Sequence, residues 1–158
     1  MTAKRSSNFL LNQMAATQGL QYPGLVKSKS WTFSTLTTGA IGAHTLATVS
    51  GLVAVRVVAF CGTTIVGAGT VEVGIAGGTA LLLGQVANAT TIAAGEIYHD
   101  ATVDAQIEAS TVLDAKSITT QNIILTIGTA ALSAGELTFV VLWSPLSEDG
   151  NLEMSTPA

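Results

Sequence analysis

Residues 95–108, GEIYHDATVDAQIE, gather Glu96, Tyr98, His99, Asp100, Asp104 and Glu108 in one short window of a chain that is otherwise almost free of charge. Carboxylates beside an imidazole are the raw material of a metal centre or of general acid–base hydrolysis. Spacing decides what they can do. Glu96, Asp100, Asp104 and Glu108 recur every fourth residue, which on a helix would make one stripe of mutually repelling charges. Gly95, Thr102 and Val103 also disfavour a helix. In an extended chain the acids share one face with Tyr98, while Ile97, His99, Ala101 and Val103 take the other. Calcium asks for oxygen ligands converging from one loop, as in Asp-x-Asp-x-Asp, and these carboxylates lie too far apart. Zinc asks for a second His or a Cys nearby, and His44 approaches His99 only through the fold. A glycosidase pair would want aromatic platforms that the stretch lacks. Glu96, His99, Asp100 and Asp104 are therefore weak ligand candidates. The expected role is a solvent-facing loop running into an edge strand, where acids discourage unwanted pairing. Any specific ligand there would be a protein neighbour or a cation between subunits.

The remaining chemical motifs fail on context. VEVGIAGGTALLLG is glycine-rich, but a phosphate loop needs a Lys after its last glycine, and no Lys falls between Lys29 and Lys116. The run reads instead as two strands joined at Gly77 and Gly78. AALSAG around Ser133 faintly resembles a nucleophile elbow, yet both histidines, His44 and His99, precede the serine. Cys61, the single cysteine, sits in an apolar run and reads as a small core residue. His44 reads as a hydrogen-bonded structural histidine, and Trp31 and Trp143 as core or interface anchors. No catalytic residue and no cofactor motif emerges.

The elements that carry these residues are β-strands. The 158 residues suffice for one domain with a substantial core. No apolar run is long enough for a helical membrane span: the uncharged stretch between Glu72 and Glu96 is broken by Gly74, Gly77, Gly78, Gly84, Gln85 and Asn88. Val53, Val55, Val57, Ala59 and Cys61 form an apolar face opposite Arg56. Val71, Val73 and Ile75 oppose Glu72. Ile123, Leu125 and Ile127 align, as do Leu137, Phe139, Val141 and Trp143. With recurrent glycine turns, this makes roughly eight short strands and predicts an all-β, antiparallel, jelly-roll-like sandwich over 28–151. Residues 152–158 read as a flexible tail. Residues 1–27 read as an N-terminal arm, extended or a short helix capped by Ser7 or Asn8, with Phe9, Leu10, Leu11 and Met14 on its apolar side. Residues 1–30 carry four basic residues and no acid; the rest carries two basic residues against ten acids. An acidic body is not a nucleic-acid surface. The last long strand is apolar on both faces, with Val140 and Leu142 opposing Phe139 and Val141. A sheet facing water should alternate, so the second face wants a cover: the arm or another subunit.

Three stretches, KSWTFSTLTTGAIGAHTLATVSG, GEIYHDATVDAQIEAS and LTFVVLWSPLSEDGN, resemble a family of small proteins encoded by tailed bacteriophages. The resemblance covers residues 29–151. It implies a virion structural component on the outer surface of the phage head: a decoration, or cement, protein. Such proteins are commonly β-rich homo-oligomers, often homotrimers, that bind the major capsid protein at symmetry axes. No site residues come with the resemblance. The expectation is thus a non-enzymatic protein with no cofactor, partnered with itself and the shell and with neither nucleic acid nor membrane. The alternative expectations are a tail- or fibre-associated receptor-binding module and a small hydrolase or metal-dependent enzyme using His99 with nearby carboxylates.

Overall fold

A computed structural model describes residues 25–101 and 117–157. Ten strands follow in order: β1 Leu25–Thr32, β2 Gly42–Ser50, β3 Val53–Val66, β4 Thr70–Ile75, β5 Gly78–Val86, β6 Ile97–Tyr98, β7 Ser117–Thr119, β8 Ile123–Gly128, β9 Ala134–Pro145 and β10 Asn151–Met154. A 3-10 turn, Ala89–Thr91, follows β5, with the Asn88 side chain accepting from Thr90 N. The strands form two antiparallel sheets. One runs β1-β9-β3, with β6 and β7 both on the far edge of β3; the other runs β10-β2-β8-β4-β5.

Alternation explains why these residues make these sheets. β3 and β9 bury every second residue, and the buried sets pair across the ladder: Val55 with Trp143, Val57 with Val141, Ala59 with Phe139, Cys61 with Leu137. β8 contributes Ile123, Leu125 and Ile127 from the facing sheet, joined by Val71 and Val73 of β4. All of these are essentially inaccessible to water. The period of two puts one apolar row inward per strand, and two such rows facing each other make the core.

Two boundaries differ from the sequence reading. β1 begins at Leu25, inside the segment assigned to the arm. Its inward positions include Lys27 and Lys29, which hide the alternation. Each is half-buried at the sandwich rim, and Lys27 Nζ reaches Glu153 Oε2 of β10 at 2.5 Å. The aliphatic stem packs along the edge while the ammonium stays wet. The assigned tail is also corrected: Asn151–Met154 pair with Ala47–Ser50 of β2, with Leu152 fully buried. A four-residue strand with one inward leucine carries too little pattern to be read from the sequence. The arm residues Phe9, Leu10, Leu11 and Met14 lie outside the described residues, as do Asp104 and Glu108.

β6 and β7 occupy one strand position. β6 pairs Ala59 and Phe60, and β7 pairs Val53, Ala54 and Val55, both antiparallel to β3. The charged stretch therefore leaves the sheet edge after Tyr98, and the chain returns to the same edge at Ser117.

Candidate functional site

The window at residue 95 is built as a turn that enters an edge strand. Gly95 adopts a φ of +91°, a conformation that suits glycine. Its N–H donates to Cys61 O at 2.8 Å, and Cys61 N–H donates to Glu96 O at 2.9 Å. The Glu96 carboxylate folds back to accept from Ala93 N–H at 2.7 Å, which closes its own turn. Glu96 is thus occupied with local backbone. His99 is exposed and donates through Nδ1 to the Asp100 carbonyl at 2.9 Å. A carbonyl can only accept, so this bond sets the tautomer. Asp100 is half-buried at the end of the described stretch. Among the described residues no group of three or more His, Cys, Asp or Glu side chains is placed to hold a metal ion.

Tyr98 departs from the expected face. It does not share the solvent side with the acids: it is 7% exposed and crosses between the sheets. Its hydroxyl lies 2.5 Å from Gly84 O and 3.2 Å from Val71 O. The β4–β5 ladder shifts register between Val71 and Val73, so a carbonyl there is left for another donor. Tyr98 supplies that donor and clasps the two sheets. Burial, reinforced by the charge of Glu72, holds its phenol well above the ordinary range. Glu72 itself is nearly buried on the outer side of β4 and accepts from Gln85 Nε2 at 2.9 Å.

Cys61, His44 and the tryptophans take the structural places expected of them. Cys61 is fully buried, and burial together with the Glu96 charge pushes its thiol up, which suppresses the thiolate a nucleophile needs. His44 donates through Nε2 to Ala40 O at 2.8 Å and stands edge-on to Trp31, with ring centroids 6.2 Å apart. Trp31 donates through Nε1 to Thr38 O at 3.1 Å. An open groove of about 480 Å³ runs past this pair, lined also by Thr37, Ala43, Thr45, Ser155 and Thr156. Its lining holds hydroxyls and one imidazole whose Nε2 is already bonded. It offers no carboxylate to pair with the histidine in acid–base chemistry. Trp143 is buried, as expected of a core anchor, and its Nε1 finds no hydrogen-bond partner among the described residues.

The feature with a clear physical demand is a surface. Val140 and Leu142 lie on the outer face of the β1-β9-β3 sheet, half-buried by their neighbours. Register shows what surrounds them. Val26, Leu142 and Arg56 form one row; Ser28, Val140 and Val58 the next; Ser30, Thr138, Phe60 and Ile97 a third. The outward positions of the four strands thus bring together Val26, Leu142, Val140, Val58, Phe60 and Ile97. These side chains trace a diagonal from β1 to β6. Val26, Phe60 and Ile97 expose 59%, 47% and 62% of their surface. Polar groups border it on one side: Ser30 Oγ and Thr138 Oγ1 are 2.8 Å apart, and Thr32 donates to Glu136 Oε2. Arg56 flanks it on the other. A bordered, contiguous apolar band on a sheet is the mark of a contact surface, unlike single exposed leucines on loops such as Leu36 and Leu146.

Sequence reasoning found the β9 part of this surface, because β9 is apolar on both faces. It missed Val26, Phe60 and Ile97, which come from three other strands and join the band only through register. Among the described residues no helix is long and apolar enough to cross a membrane. No protein-family model, curated protein or solved structure matches the chain.

Proposed function

We propose that this chain is a non-enzymatic structural component of a phage virion, a head decoration (cement) protein that binds and stabilises the shell as a homo-oligomer. The observation that carries the reading is the diagonal apolar band on the β1-β9-β3 sheet. A contiguous exposed band of that kind marks a surface that another protein segment covers. The sequence resemblance to small tailed-phage proteins gives the assembly its setting.

Strand order supports a more specific fold than a plain sandwich. Take β6 and β7 as one interrupted strand and set β10 aside as an addition beside β2. The chain then has eight successive strands, the first, eighth, third and sixth in one sheet and the second, seventh, fourth and fifth in the other. That alternation of sheets is the jelly roll, an architecture that recurs in viral capsid proteins. Fold alone assigns no function, and lectin domains share it.

Two measurements test the reading. Sedimentation of the purified protein is expected to show a stable oligomer. Labelling on intact virions, followed by electron microscopy, is expected to place it on the head. A monomer at every concentration contradicts the role given to the apolar band. A label confined to the tail moves the protein to host recognition instead.

A further inference from the structure

We propose that the apolar band of each copy is occupied by the N-terminal segment of a neighbouring copy, with Phe9, Leu10, Leu11 and Met14 as the side chains that enter it. The proposal rests on the self-association reading above and names what fills the surface.

Position comes first. The segment joins the fold at Leu25, and Val26, the first residue of the band, follows directly. β1 is an edge strand, so the segment leaves from the side of the sheet, where a neighbour would stand. Length agrees. The band crosses three strand spacings and about four residues of strand, a diagonal of about 20 Å. In the helical one of the two forms the sequence allows, eleven residues after the cap would span about 16 Å. Residues 19–24 remain as a tether of up to about 20 Å.

Chemistry agrees too. Residues 1–24 carry Lys4 and Arg5 and no acid, whereas residues 25–158 carry four basic residues against ten acids, a net −6. A basic segment is drawn to an acidic body, and Glu96 stands exposed beside Ile97 at the far end of the band. The apolar side chains then meet the apolar band, as an amphipathic helix meets a groove.

Self-association decides whose segment it is. A segment seated on its own chain would cover the band and withdraw it from contact between copies. A segment given to the next copy is itself the contact. Each copy gives one and receives one, either by reciprocal exchange between two copies or head to tail around a closed ring.

The test uses two full-length single variants, Leu11→Cys and Val140→Cys, mixed and oxidised, with wild-type protein sedimented in parallel. Cys61 is fully buried and stays out of the reaction. The expected result is a mixed disulfide joining one chain of each kind, from a protein that sediments as an oligomer. Phe9→Ser combined with Leu11→Ser is expected to raise the dissociation constant about tenfold or more, as loss of central anchors does. An oligomer with no mixed disulfide overturns the proposal and leaves the self-association reading standing. So does a chain carrying both cysteine substitutions that closes its disulfide within itself. Unchanged association of the double serine variant also overturns it. A wild-type monomer at all concentrations removes both.

Discussion

Tyr98→Phe isolates the clasp between the sheets. The substitution keeps the ring, which is 7% exposed in the core, and removes one oxygen. That oxygen donates at 2.5 Å to Gly84 O and lies 3.2 Å from Val71 O. Removing the donor strands buried carbonyl oxygen beside a ladder that has slipped register. Leaving a buried acceptor unmet costs about 1–3 kcal/mol, so a loss of about 2 kcal/mol is expected. For a chain of this size that lowers the thermal midpoint by roughly 4–8 °C. Urea unfolding followed by tryptophan fluorescence measures it, because Trp31 and Trp143 are both buried in the folded state. The midpoint should fall with the slope unchanged, since the same surface is exposed on unfolding. Alkaline pH supplies an internal control. Burial and the nearby Glu72 raise the phenol in the folded protein, so its protonated form is favoured there. Its stabilisation is complete below the unfolded value of about 10 and is lost as pH rises above it toward the raised folded value. Each pH unit in that window removes about 1.4 kcal/mol from the wild type, whereas the Tyr98→Phe variant has no phenol to titrate at this position. The gap between the two proteins should therefore narrow as pH rises above about 10. A neutral-pH difference below about 0.5 kcal/mol, or a gap that does not narrow above about pH 10, refutes the clasp.

Three further outcomes follow from the same structure. Gly39→Ala drives a Cβ into Leu132 O, a backbone atom held by the Leu132 N to Gly39 O bond, and is expected to cost about 3 kcal/mol or more in a denaturant titration. Cys61 should react with a disulfide reagent about 100-fold or more slowly in the folded protein than in urea, because burial hides the sulfur and raises the thiol; comparable rates would contradict its placement. Phe60→Ser with Ile97→Ser should cost the fold less than about 1.5 kcal/mol, since both side chains are about half exposed or more, yet sharply weaken self-association in sedimentation.

What could be read from the sequence was whatever repeats within a single strand. Val53, Val55 and Val57 announce their inward face by alternation, and the structure buries all three. Ile123, Leu125 and Ile127 do the same from the other sheet. Lys27 and Lys29 broke the same signal in β1, because at a rim an inward position tolerates a long charged side chain. The surface was harder still. Val140 and Leu142 revealed an unneeded apolar face on β9, but their companions depend on pairing across great sequence distance: Ser30 meets Thr138, 108 positions away. Tyr98 was misread for a different reason. Glu96 and Tyr98 look like neighbours on one face of a strand, but the Gly95 turn takes Glu96 out of the strand and leaves Tyr98 alone to point inward.

The edges of the two sheets argue that the proposed contact between copies is made through a face. An exposed edge strand pairs indiscriminately unless something blunts it. β1 sets Lys27 and Lys29 at half-buried inward positions, where a second sheet edge would have to bury their charge. β10 is four residues long and carries Glu153. The far edge of β3 is taken by β6 and β7. β5 departs from its partner's register twice along nine residues, which spoils it as a template. Each edge is closed by charge, brevity, cover or irregularity, and each device costs the sheet some regular pairing. The outer face of β1-β9-β3 carries no comparable device within the band: Arg56 and Glu136 stand at its borders while Val26, Phe60 and Ile97 face water within it. A chain that blunts its edges and leaves one apolar face uncovered by its described residues favours association by side-chain packing, in fixed register and stoichiometry, over open-ended strand addition. That is the kind of contact a closed oligomer on a symmetric shell requires.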